Sequence, residues 1–81
     1  MDVQHSAASA KAFVEAPQMV QRAFLKQVAF LKENLHHPSL RAKKFGGTKD
    51  LWQARVNQDW RFYFKIVDDV YLITNIIPHP K

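Results

Sequence analysis

The chain has no cysteine and only two glycines in 81 residues. Without cysteine there is no disulfide framework, no thiolate metal site and no cysteine nucleophile. The same absence fits a cytosolic (cytoplasmic) home, because small secreted domains are usually stapled. The two glycines stand together as Gly46-Gly47, so no glycine-rich loop is available to cradle a nucleotide phosphate. Carboxylates are also scarce: seven in all, with Asp50, Asp59, Asp68 and Asp69 at expected turns. A two-metal nuclease needs several carboxylates converging on one pocket, and this pattern does not supply them. His36 and His37 are adjacent and point apart, and no histidine pair has the i, i+4 spacing of a helical zinc site, so they read as a solvated helix end and no metal is expected. Ser6, Ser9 and Ser39 lie in no strained elbow motif. No apolar run approaches the ~20 residues of a membrane span. The opening MDVQHSAASAKAF lacks the basic-then-apolar layout of a signal peptide, so no membrane association is expected.

Positive charge is abundant. Twelve Lys and Arg against seven Asp and Glu give a formal charge of +5. In so short a chain this favours a polyanionic partner, nucleic acid or an acidic protein, over a charge that serves only solubility. The chain is 47% hydrophobic, enough for one thin core, and residues 1–81 read as a single domain. A core this small is usually supported by a ligand or partner.

The apolar spacing gives helices first and strands after. Asp2–His5 is a short, weakly specified opening strand. Ser6 caps a helix over Ala7–Glu15 that buries Phe13 and Val14, and Pro17 suits the first turn of a second helix. Val20, Phe24, Val28, Leu31 and Leu35 form one helical stripe, read as core. That helix ends by Asn34–His37, before Pro38. Ser39–Asp50 is a basic connector carrying Arg41, Lys43, Lys44 and Lys49. Three strands follow, Leu51–Asn57, Trp60–Val67 and Val70–Ile77. Asp68-Asp69 turns between the last two as either a two- or a three-residue loop, which leaves the face of the last strand open. The expected fold is α+β, a short N-terminal strand and a helical hairpin packed on one face of a three-stranded antiparallel sheet.

Folding Leu51–Asn57 back on Trp60–Val67 around Gln58 sets Val56 opposite Trp60, Ala54 opposite Phe62 and Trp52 opposite Phe64, an apolar face. The other face carries Gln53, Arg55, Arg61, Tyr63 and Lys65, with Arg55 directly opposite Arg61. Like charges paired across a ladder are destabilising. The pair is explained by an anion between them, phosphate or carboxylate; the alternative is two solvated arginines with Asp59 as partial counter-ion. Metal-free RNA cleavage is open to such residues, because RNA carries its own nucleophile, the 2′-hydroxyl. Arg55, Arg61, Tyr63, Lys43 or Lys44, and His79 supply the side-chain types it needs. Read alone, His79 is first of all a tail histidine between two prolines.

The segment FLKENLHHPSLRAKKFGGTKDLWQARVNQDWRFYFKI, followed by IIPHPK, resembles the RelE/ParE superfamily of bacterial toxin–antitoxin toxins, from about Phe13 to Lys81. Its most specific parts are HPSLRAKK, WxARVNxDWRFYF and the terminal PHPK, and it is more similar to the RelE-type branch than to the gyrase-directed ParE branch. The resemblance implies an α+β toxin of a type II pair that cuts mRNA on the ribosome without metal or cofactor, leaving a 2′,3′-cyclic phosphate. It implies that Arg61 braces the scissile phosphate, that Arg55 contacts the phosphate backbone and that His79 is the general acid. Lys43, Lys44 and Lys49 are the candidate bases, left unresolved. Arg41, Lys49, Tyr63, Lys65 and Lys81 are expected to bind substrate.

It also implies a cognate antitoxin that wraps the basic face in a hetero-oligomer. The chain departs from the family in its short opening strand, in stopping at Lys81 without the longer tail of some active members, and in having no acidic base. The alternatives are a non-catalytic ParE-like DNA gyrase inhibitor and an attenuated relative that only binds its antitoxin. Outside the family stands a small RNA-binding module stacking bases on Trp52, Trp60 or Phe62, against which the expected burial of those rings counts.

Overall fold

Ser6 is where the chain turns from strand to helix. Its backbone is extended and its hydroxyl oxygen accepts from the Ser9 amide at 3.1 Å, an N-cap that satisfies one otherwise orphaned donor. Its own N–H donates to Ile73 O at 2.9 Å and its hydroxyl to Thr74 O at 3.2 Å, pinning the helix start to the last strand. These contacts come from a computed structural model that describes residues 1–45 and 50–79. The described elements are β1 (Asp2–His5), α1 (Ala7–Glu15), α2 (Gln18–Glu33), β2 (Lys43–Lys44), β3 (Leu51–Arg55), β4 (Trp60–Val67) and β5 (Val70–Pro78).

The apolar stripe of α2 is core. Val20, Phe24, Val28 and Leu31 are buried, Leu35 is half-buried, and Phe24 meets Phe62 edge-to-face at 5.3 Å. Phe13 of α1 packs on Phe24 at 5.8 Å. Val14, expected to be buried beside it, is instead 75% exposed, because the stripe that α1 turns inward runs through Ser9, Ala12 and Phe13. No described helix is long and apolar enough to cross a membrane.

The expected three-stranded antiparallel sheet is the centre of a five-stranded mixed one, ordered β1-β5-β4-β3-β2. The opening strand adds at one edge, parallel to β5, from Asp2 opposite Val70 to His5 opposite Ile73. At the other edge the basic connector contributes Lys43 opposite Gln53 and Lys44 opposite Trp52. The β3–β4 register is the expected one, with Arg55 opposite Arg61, Ala54 opposite Phe62 and Trp52 opposite Phe64. Strand β3 stops two residues early, at Arg55, because the Asn57 side chain takes over the turn: its Oδ1 accepts from the N–H groups of both Asp59 and Trp60 at 2.9 Å.

Asp68 and Asp69 form a two-residue loop, with Val67 opposite Val70, and both have left-handed φ of 50° and 62°. Tight hairpins of this kind match the twist of their strands, and Asp tolerates that conformation. The loop turns Tyr71 and Ile73 inward. A bulge at Thr74 then shifts the phase, so that Ile76 is also buried and Asn75 faces outward, opposite Tyr63.

Candidate anion-binding and proton-transfer site

The outer face of the sheet collects basic side chains from four segments. Arg41 and Lys43 come from the connector, Arg55 from β3, Arg61 from β4 and His79 from the end of β5. Together with Gln53 they line one recess of about 280 Å³. Strand alternation explains the membership: Lys43 pairs with Gln53, and Arg55 with Arg61 two residues along β3. His79 is held at the rim because its backbone N–H donates to Asp59 O in the hairpin turn at 2.7 Å. Arg41 is set by the bend before β2, with a left-handed φ of 48°. A non-glycine residue there costs of order 1–2 kcal/mol, and such strain persists where neighbours impose it. Here Leu40 is fully buried and its carbonyl accepts from the Arg55 N–H at 2.8 Å.

The arginines are oriented by backbone. Arg61 Nη1 donates to the carbonyls of Asn57 at 2.7 Å, Trp60 at 2.9 Å and Gln58 at 3.4 Å, and Arg55 Nε donates to Asn57 O at 3.3 Å. Burial, then Arg55, then Arg41, lower the pKa of Arg61; Tyr63 and Asp59 oppose this more weakly. A guanidinium stays charged regardless, so the crowding is stored as electrostatic destabilisation that a bound anion relieves. Fixed donors converging from two guanidinium groups suit a phosphate, and they are preorganised for charge that builds up on it.

The remaining candidates fall elsewhere. Lys44 points to the opposite face, with Nζ 6.0 Å from the Trp52 ring centroid. Lys65 is exposed opposite Leu51, about 13 Å along β4 from Arg61 at roughly 3.3 Å per residue. Tyr63, expected to bind substrate, is buried: Phe45 meets its ring edge-on at 5.1 Å, and its hydroxyl accepts from Gln53 Nε2 at 3.2 Å. Its part in the recess is to hold Gln53. Lys49 and Lys81 lie outside the described residues. Among the described residues no cluster of metal-ligating side chains occurs. Of the aromatics considered for stacking, Phe62 is fully buried and Trp52 and Trp60 are half-buried.

One supporting residue was not anticipated. Gln27 is buried on α2, where its Nε2 donates to Ser39 O at 2.9 Å and Arg55 O at 2.7 Å while its Oε1 accepts from the Ser39 hydroxyl at 2.9 Å. It ties the end of β3 and the connector to the helix. The available signal was a glutamine among Val20, Phe24, Val28 and Leu31 on the apolar face of α2.

No protein-family model matches the chain, and no curated protein sequence matches it significantly. Solved structures do. The chain is similar to the archaeal RelE in the RelE–RelB complex from Pyrococcus horikoshii, at 26% identity and a TM-score of 0.76, over 95% of this chain and 92% of that one. It is also similar to a YoeB/ParE toxin from Agrobacterium tumefaciens, at 10% identity and a TM-score of 0.82, over 99% and 100% of the two chains. The likeness to the intact E. coli RelBE toxin–antitoxin complex is 12% identity and a TM-score of 0.78, over 99% and 98%. At 10–12% identity the last two speak for the fold alone.

Proposed function

We propose, since the chain belongs to the RelE/ParE superfamily, that it is the toxin of a type II pair and an endoribonuclease that cuts mRNA on the ribosome without a metal. The observation that carries this is the recess itself, in which Arg41, Lys43, Arg55, Arg61 and His79 meet.

The reaction needs no nucleophile from the protein. The 2′-hydroxyl of the substrate attacks the adjacent phosphorus, the bond to the 5′-oxygen breaks, and the products are a 2′,3′-cyclic phosphate and a 5′-hydroxyl. Arg61 and Arg55 hold the phosphate and stabilise the added negative charge of the pentacovalent state. His79 gives its proton to the departing 5′-oxygen. Lys43, the recess lysine, lies beside the 2′-hydroxyl and offsets the negative charge that grows on its oxygen as the proton passes to solvent water. The partner is an antitoxin: the neighbours include toxins solved with RelB and with DinJ. An acidic, partly disordered segment complements a +5 chain.

The test is primer extension on a translated reporter mRNA after a pulse of expression, with Arg61→Ala as control. Cuts confined to the translated region and absent in the control are expected. Growth arrest with intact transcripts would replace this reading with gyrase-type inhibition, and no arrest would point to a relative that only binds its antitoxin.

A further inference from the structure

A second concavity lies against the first. It is a groove of about 480 Å³ between α2 and the tip of the β3–β4 hairpin, and it includes Lys26, Ser39, Asn57 and Gln58. Arg41 and Arg55 line both this groove and the recess, so the two share a cationic wall. Its floor is rigid, because Gln27 bonds Ser39 and Arg55 together from below. On the helix side Lys26 is exposed, with Nζ 5.9 Å from the Phe30 ring centroid. Phe30 stacks flat on His37 at 3.9 Å, next to the groove residue Pro38. On the hairpin side the Gln58 side chain is exposed.

We infer that a single-stranded RNA seated in the recess continues over the Arg41–Arg55 wall into this groove. Its next phosphate lies on Lys26 and Arg41, and the neighbouring base edge meets Gln58. The inference rests on the proposed reading of the recess and extends it: the protein binds more of the strand than the bond it cuts. A flexible polyanion favours a track of spaced cations, each phosphate contact releasing condensed counterions. The amide of Gln58 offers both a donor and an acceptor to a base.

The experiment is an amide-resolved NMR titration of the full chain with RNA oligomers made uncleavable by a 2′-deoxy sugar before the reacting phosphate. A dinucleotide is expected to shift the amides of Gln53, Arg61 and His79. A tetranucleotide is expected also to shift Lys26, Ser39 and Gln58 and to bind roughly three- to tenfold tighter, with a salt slope steeper by about 0.7 per added contact. Lys26→Gln, a change at an exposed helix position, removes the added affinity and the added slope while dinucleotide binding persists. Recess shifts without groove shifts, or an undiminished gain in Lys26→Gln, would overturn the extended path and leave the recess reading standing. Groove shifts without recess shifts, or no shifts at all, would overturn both.

Discussion

Arg55 and Arg61, paired across β3 and β4, donate to the same atom, the carbonyl oxygen of Asn57, at 3.3 and 2.7 Å. One acceptor thus orients two like charges that would otherwise repel. Each guanidinium uses a single nitrogen, Nε of Arg55 and Nη1 of Arg61. Their other nitrogens make no hydrogen bond to another described residue. A guanidinium carries five N–H donors, so most of the donor capacity of this pair remains for an anion.

This arrangement predicts a trade of stability for function. Arg61→Gln is expected to lower RNA cutting by about 10²–10³-fold, the usual loss of one preorganised donor to a developing oxyanion. The same change removes a cation crowded by Arg55 and Arg41, so the thermal midpoint should not fall and should rise at low salt, where repulsion is least screened. Phosphate should raise the midpoint of the parent chain more than chloride at equal ionic strength, through binding to the folded state, and the difference should vanish in Arg61→Gln. A marked drop in the midpoint of that variant, by calorimetry at low salt, would show that the pair is structural.

Gln27→Ala is expected to destabilise the chain by about 3 kcal/mol, since it leaves the carbonyls of Ser39 and Arg55 short of a partner in a buried position. Urea denaturation measures it. Because the lost clamp holds Arg41 and Arg55 in place, cutting should fall as well, even at temperatures where the variant is folded.

Gln27 also marks where sequence reading stops. The stripe Val20, Phe24, Val28, Leu31 and the alternation through Trp52–Phe64 are periodic signals, and both the core and the Arg55–Arg61 pairing follow from them. Gln27, Lys43–Lys44 as an edge strand and the bulge at Thr74 each depend on a partner distant in the chain: Arg55, Gln53 and Tyr63. No local pattern encodes such partners. The bulge matters most for legibility, because one extra residue reverses which side of β5 faces the helices, so Asn75 could not be assigned a side from spacing alone. The same limit left Lys43 and Lys44 equivalent until their strand partners were known.

The Asp68-Asp69 turn is open to improvement. Both residues hold left-handed φ, which glycine adopts without steric cost and asparagine tolerates. Asp68→Asn with Asp69→Gly is expected to stabilise the chain by about 1 kcal/mol, read as a higher denaturation midpoint with cutting unchanged, since the turn lies at the far end of β4 from Arg61.

His79→Gln should separate chemistry from binding. The contact that places this residue is its backbone N–H to Asp59 O, which the substitution keeps. Affinity for an uncleavable RNA should therefore stay within about twofold while the cutting rate falls about 10²-fold or more, the contribution typical of a positioned general acid. If the RNA has a good leaving group at the 5′-oxygen, which needs little protonation, the variant should recover most of the lost rate. A variant that cuts normally on the ordinary substrate would remove His79 from the reaction.

Lys43 and Lys44 give the sharpest contrast, because they are adjacent, carry the same charge and are both exposed. Pleating sends them to opposite faces: Lys43 joins Arg41, Arg55 and Arg61 in the recess, and Lys44 leans on Trp52. Lys43→Ala is expected to reduce cutting by at least 10²-fold and to leave the denaturation midpoint unchanged or higher, since it removes one of several like charges. Lys44→Ala is expected to do the reverse. Cutting should be retained, and stability should fall by about 0.5–1 kcal/mol, the worth of an exposed cation–π contact. The register makes this test strict: a slip of one residue in the β2–β3 pairing would exchange the two lysines and invert both outcomes. Equal losses of cutting in the two variants would mean that net charge on this edge, rather than the position of one amine in the recess, governs the reaction.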